Sequence, residues 1–144
     1  MKNLTGKRNP YAPPKGRVFI GSGDFIFLTS VFTHMMPVDV SAYLDQISRV
    51  LKSGGKCFAT FFIINEVSKR LMKENDGIKF NHKFNNYYLH TTKVKEANVA
   101  FDETFLEQMI KSKGLKIASK HYGYWSGRQK DKSVDFQDIY IIEK

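Results

Sequence analysis

With 144 residues, the chain is long enough for one domain whose core buries roughly two-thirds of the surface its unfolded form would expose. A content of 42% hydrophobic and 14% aromatic residues excludes intrinsic disorder, which needs few aromatics and little apolar surface. The formal charge of +9 raises a nucleic-acid role, but the cations are scattered: Lys69 and Arg70, Lys111 and Lys113, Arg128 to Lys132. No stripe forms, so solubility and loop charge account for them, and nucleic acid is not an expected partner.

Cys57 is the single cysteine, so no intrachain disulfide is possible and a reducing compartment is expected. It lies in an apolar run, where a free cysteine behaves as a small buried hydrophobe. The opening MKNLTGKRNP lacks the apolar region of a signal peptide, and no run approaches the roughly eighteen apolar residues of a membrane span. The expectation is a soluble, cytoplasmic protein with no membrane partner.

Residues 1–16, with Pro10, Pro13 and Pro14, read as a loose N-terminal segment, and 17–144 as a single domain. Arg17 to Ile20 and Asp24 to Ser30 read as short strands around Gly21-Ser22-Gly23. The second is apolar on both faces, as in a strand covered by helices on both sides. Pro37 and Asp39 then open a helix, with Asp39 or Ser41 as its cap. Val40, Tyr43, Leu44, Ile47, Val50 and Leu51 form its apolar stripe, and Gly54-Gly55 end it.

Lys56 to Ile64 follows as one buried strand, completing a βαβ unit with a right-handed crossover. Asn65 to Lys73 reads as a short helix with Asn65 as cap, and residues 75–95 as an irregular or hairpin-like insertion. A further helix runs from about Asp102 to Lys113 and stops at Gly114. Leu115 to Tyr124 and Phe136 to Ile142 are strands across a loop rich in Gly, Lys and Ser, so an antiparallel pair is expected.

Three stretches carry a resemblance. Asp24-Phe25-Ile26-Phe27-Leu28-Thr29-Ser30-Val31-Phe32-Thr33-His34-Met35 resembles the fourth strand and following loop of class I S-adenosylmethionine-dependent methyltransferases. Arg49-Val50-Leu51-Lys52-Ser53-Gly54-Gly55-Lys56 resembles the helix end and turn before that family's fifth strand. Tyr122-Gly123-Tyr124-Trp125-Ser126-Gly127-Arg128 and Phe136-Gln137-Asp138 resemble the closing hairpin of a bacterial subgroup. The likeness spans roughly residues 24–144 and implies the C-terminal half of that fold. In class terms this is α/β: a partial Rossmann-like methyltransferase sheet of parallel strands with an antiparallel C-terminal strand, flanked by helices.

The family's glycine-rich cofactor loop and strand-ending acid have no counterpart here. Gly21-Ser22-Gly23 is followed by a strand, not by the helix such a loop must open, and Asp39 and Asp45 fall on a helix. A turn between two strands is the better reading of that glycine pair. If the family's strand order holds, the fourth, fifth, last and next-to-last strands are neighbours in a four-stranded sheet. The fourth would lose its inner partner, leaving an edge open to a homodimer or companion chain, unless Val18 to Ile20 fold back over it.

The resemblance implies S-adenosylmethionine as cofactor, if the site is complete or completed by a partner, and methyl transfer to an oxygen or nitrogen of a small molecule or sugar. Ser30, Val31, Phe32 and Thr33 leave the carboxyl end of a buried strand and are the expected cofactor contacts. His34 is either a general base toward the acceptor or structural. Asn65 is either a substrate contact or a helix cap. Tyr122, Trp125 and Arg128 either line an acceptor pocket or, for the aromatic pair, belong to the core. The insertion over 75–95 would form a lid. His82 and His90 lack metal-ligand spacing, so no metal is expected. The rival reading is a non-catalytic remnant of the fold that serves as a binding or assembly module.

Overall fold

The computed structural model describes residues 17–20, 23–94 and 97–144. The segment read as loose over 1–16 lies outside them, as do Gly21 and Ser22. Strand β1 (Arg17–Ile20) pairs antiparallel with β2 (Phe25–Thr29), and β2 pairs parallel with β3 (Lys56–Phe61). With β8 (Lys116–His121) and β9 (Asp138–Glu143) they form a five-stranded sheet ordered β1-β2-β3-β9-β8, in which β9 runs antiparallel to both neighbours. The four strands expected to be neighbours are neighbours, with β1 added. The edge of β2 is therefore not open: β1 folds back and satisfies its backbone groups, which removes the premise of a partner strand there.

Helix α1 (Pro37–Val50) crosses from β2 to β3. Pro37 occupies its first turn, where the missing N–H costs nothing, and neither Asp39 nor Ser41 caps it, because the cap position falls on Met36. Val40, Leu44 and Ile47 pack with Leu106 and Ile110 of helix α3 (Glu103–Ser112) against Ile26, Leu28, Cys57, Ala59, Tyr140 and Ile142. These sheet residues alternate with Phe25, Phe27, Phe58 and Ile141 on the opposite face. There Phe27 and Phe58 stack at 4.6 Å, Phe25 is 42% exposed, and among the described residues no helix packs. Among the described residues, helical cover of β2 is found on one face only, where two-sided cover was expected.

The run Lys56 to Ile64 is not one strand. It breaks at Phe62, and β4 (Ile63–Ile64) leaves β3 to join a second sheet ordered β4-β7-β6-β5. Strands β5 (His82–Lys83) and β6 (Tyr87–Leu89) are the hairpin expected of the insertion, and β7 (Val99–Asp102) pairs parallel with β4. Helix α2 (Glu66–Glu74) sits on this sheet, with Met72 meeting Phe62, Phe80 and Trp125 in a smaller core. Sequence reasoning missed the second sheet because strands of two to four residues carry too little period to read. Among the described residues no helix is long and apolar enough to cross a membrane.

Candidate functional site at the carboxyl edge of the sheet

Strands β2, β3 and β8 point the same way, so Ser30, the β4–Asn65 junction and Tyr122 emerge at one edge, the carboxyl end where open α/β sheets bind ligands. Gly23 lies at the other end: its carbonyl accepts from the Lys52 N–H at 2.8 Å, beside the Gly54-Gly55 turn. Gly23 is thus remote from that edge, while Gly21 and Ser22 lie outside the described residues.

Ser30 is the only non-glycine among the described residues with a positive φ, 55°. A left-handed serine costs about 1–2 kcal/mol, so something must hold it. Its N–H donates to Thr60 Oγ1 at 2.9 Å, and its hydroxyl meets the Gln137 amide, whose Nε2 lies 3.0 Å away. The chain then turns through a 3₁₀ segment, Phe32–His34, against β3 and β7.

Val31, Phe32 and Thr33 are fully buried. Phe32 stacks on Phe61 at 5.0 Å and meets Tyr43 edge-on at 5.8 Å. The Val31, Phe32 and Thr33 side chains are all buried, which leaves the backbone and the half-buried His34 to face a ligand. The Thr33 hydroxyl is buried without a hydrogen-bond partner.

Asn65 caps α2. Its side chain accepts from the Ser68 N–H at 2.9 Å while the Ser68 hydroxyl accepts from the Asn65 N–H at 2.8 Å. Its Nδ2 remains directed at Glu103 Oε2, 3.4 Å away. Tyr122 donates its hydroxyl to the same oxygen, and the Arg128 guanidinium lies 4.5 Å from the Tyr122 ring centroid. Burial, then the Glu103 carboxylate, pushes the Tyr122 hydroxyl above its usual range. Burial does the same to Tyr140, which donates to Glu103 at 3.4 Å and Glu107 at 3.3 Å. Lys120 closes the cluster at 2.7 Å from Glu107.

Glu103 is therefore the hub joining Asn65, Tyr122 and Tyr140. In sequence it shows only as an acid in a helix's first turn, where a favourable dipole already accounts for it. Of the two readings of Trp125, the structure places its side chain in the smaller core. It is 1% exposed, packed between Phe62 and Phe80, and its Nε1 donates to Asp138 Oδ2 at 2.8 Å. The structure thus brings together Asn65, Tyr122 and Arg128, and ties Ser30 in through Gln137. Sequence reasoning assigns Gln137 and Asp138 no role beyond their resemblance and does not nominate Glu103.

A parallel βαβ unit closed by an antiparallel hairpin, with its polar groups gathered at the carboxyl edge, defines an α/β fold of the ligand-binding kind. Comparison places it further. Residues 20–59 match the family model of a methyltransferase domain. The fold is that of S-adenosylmethionine-dependent methyltransferases. One from Methanosarcina mazei superposes with a TM-score of 0.52 at 19% identity, over 84% of this chain and 58% of its own. Another from Clostridium acetobutylicum gives 0.50 at 14% identity, over 83% of this chain and 57% of its own. The class I resemblance read from the sequence stands, and the chain spans less than two-thirds of the length of these proteins.

Proposed function

We propose that the chain forms the acceptor side of an S-adenosylmethionine-dependent methyltransferase acting on a small molecule or sugar. The observation that carries this reading is the convergence of Ser30, Asn65, Tyr122 and Arg128 at the ligand-binding edge of a methyltransferase fold. When bound, the cofactor supplies an already activated methyl group, so the protein's work is alignment.

The residues fit one end of that cofactor. The turn over 30–34 offers its backbone and the half-buried His34 as a wall, whereas Gly23 lies at the other end of the sheet. Among the chain's own groups, Asn65 and Arg128 hold the acceptor. Tyr122 and Glu103 fix its orientation. His34 takes the proton from an acceptor hydroxyl at its imidazole. The insertion over 75–95 covers the acceptor.

One observation favours the rival, a non-catalytic binding or assembly module: two of the four expected cofactor contacts, Val31 and Phe32, have core side chains. Calorimetric titration of the purified chain with S-adenosylmethionine and S-adenosylhomocysteine separates the readings. Saturable one-to-one binding supports the enzyme. No heat at high protein concentration assigns the chain alone to the module.

A further inference from the structure

Two consecutive residues reach every segment of the carboxyl edge. Gln137 bonds the Ser30 hydroxyl at the end of β2. The Asp138 carboxylate, 1% exposed, accepts from Ile63 N–H at 2.7 Å, Gly123 N–H at 2.8 Å and Trp125 Nε1 at 2.8 Å. These donors belong to β4 and to the loop after β8. Gly123 is required for that approach, since a Cβ there would lie 2.2 Å from the Phe136 carbonyl oxygen and 2.4 Å from that of Gln137.

We infer that Gln137 and Asp138 are positioning residues that lock the 30–34 turn and the 122–128 loop into one frame, so that a ligand touching the turn is felt at Trp125. A strained residue such as Ser30 keeps its conformation only while its surroundings over-determine it. Thr60 and Gln137 are the two groups that do so. Loss of Gln137 removes one of them, and the turn is then free to relax toward an extended backbone. The pair acts through Ser30, Ile63, Gly123 and Trp125 and touches no reacting atom. The identity of the ligand rests on the methyl-transfer reading; the frame itself does not.

The test is amide hydrogen exchange by NMR on the full chain, comparing Gln137→Ala, Gln137→Glu and Asp138→Asn with the parent. Gln137→Ala is expected to speed exchange at Ser30 about tenfold while Leu44 in α1 keeps its rate, which general destabilisation would not allow. Gln137→Glu keeps an acceptor for the Ser30 hydroxyl and should restore the Ser30 rate to within about twofold. Asp138→Asn should speed Ile63 and Gly123 directly, and the 30–34 turn through them.

A S-adenosylhomocysteine titration adds the second reading. Trp125 emission should change in step with calorimetric binding in the parent. In Gln137→Ala, binding should weaken about five- to tenfold and the emission change should vanish. Unchanged exchange over 30–34 in both Gln137→Ala and Asp138→Asn overturns the frame. Absence of S-adenosylhomocysteine binding to the parent overturns the methyl-transfer reading alone and leaves the exchange result to decide the frame.

Discussion

Asp138 makes stability depend on pH in an unusual sense. Burial raises its carboxyl from an ordinary 3.8 to about 6, against the opposing pull of the Gly123, Trp125 and Ile63 donors and the Arg128 charge. Between those two values the folded chain holds a proton that the unfolded chain has released. Stability therefore falls as pH rises through this window and is level above it. That difference in proton affinity corresponds to about 3 kcal/mol. Most native carboxylates act in the opposite sense, so the contribution is best isolated by difference.

The perturbation is Asp138→Asn, which keeps the shape and cannot ionise. Urea unfolding from pH 4 to pH 7 is followed by emission of Trp125, the one tryptophan and a fully buried one. Subtracting the variant's stability from the parent's cancels the other titrating groups. The difference should move against the parent by about 2–2.5 kcal/mol across that range, because the unfolded carboxyl is already partly protonated at pH 4. A flat difference would refute the reasoning. A difference moving the other way would mean that three N–H donors outweigh burial, as they do in many tightly bonded carboxylates.

Gly123→Ala should cost at least about 3 kcal/mol in urea unfolding, because the added carbon meets backbone that cannot yield. The control is Gly54→Ala, where φ is +80° but nothing lies within 4 Å, and the cost should be only about 1–2 kcal/mol. A cost no larger than that of Gly54→Ala would show that the backbone at Phe136 and Gln137 yields to the added carbon. Cys57, fully buried with its thiol pushed up to about 12, should resist a disulfide reagent at pH 8 until the chain is unfolded in urea. Rapid labelling of the native chain would place Cys57 outside the core.

The parts of this fold that could be read in advance were those with a long period. The apolar stripe of α1 between two buried runs defined the crossover, and the cap at Asn65 located α2 because a side chain and a backbone donor meet three residues apart. Other features depend on contacts between distant residues. The break at Phe62 was invisible, because a run apolar on both faces looks the same whether it stays in one sheet or passes to another. Asp138 accepts from donors 75 and 15 residues away, and Gln137 meets Ser30 at a separation of 107, so no local pattern announces either bond.

The candidate site divides the same way. Its location followed from strand direction, which a sequence reveals, whereas the role of each side chain followed from burial, which it does not. Val31 and Phe32 and the pair Tyr122 and Trp125 illustrate this. All four sit beyond strand ends with suitable chemistry, yet three are claimed by the two cores and only Tyr122 stays at the rim. Position at a strand end therefore nominates a residue, and competition between core and rim decides it. Here that competition leaves Asn65, Tyr122 and Arg128 beside Glu103 at the rim, the last of which position alone did not nominate.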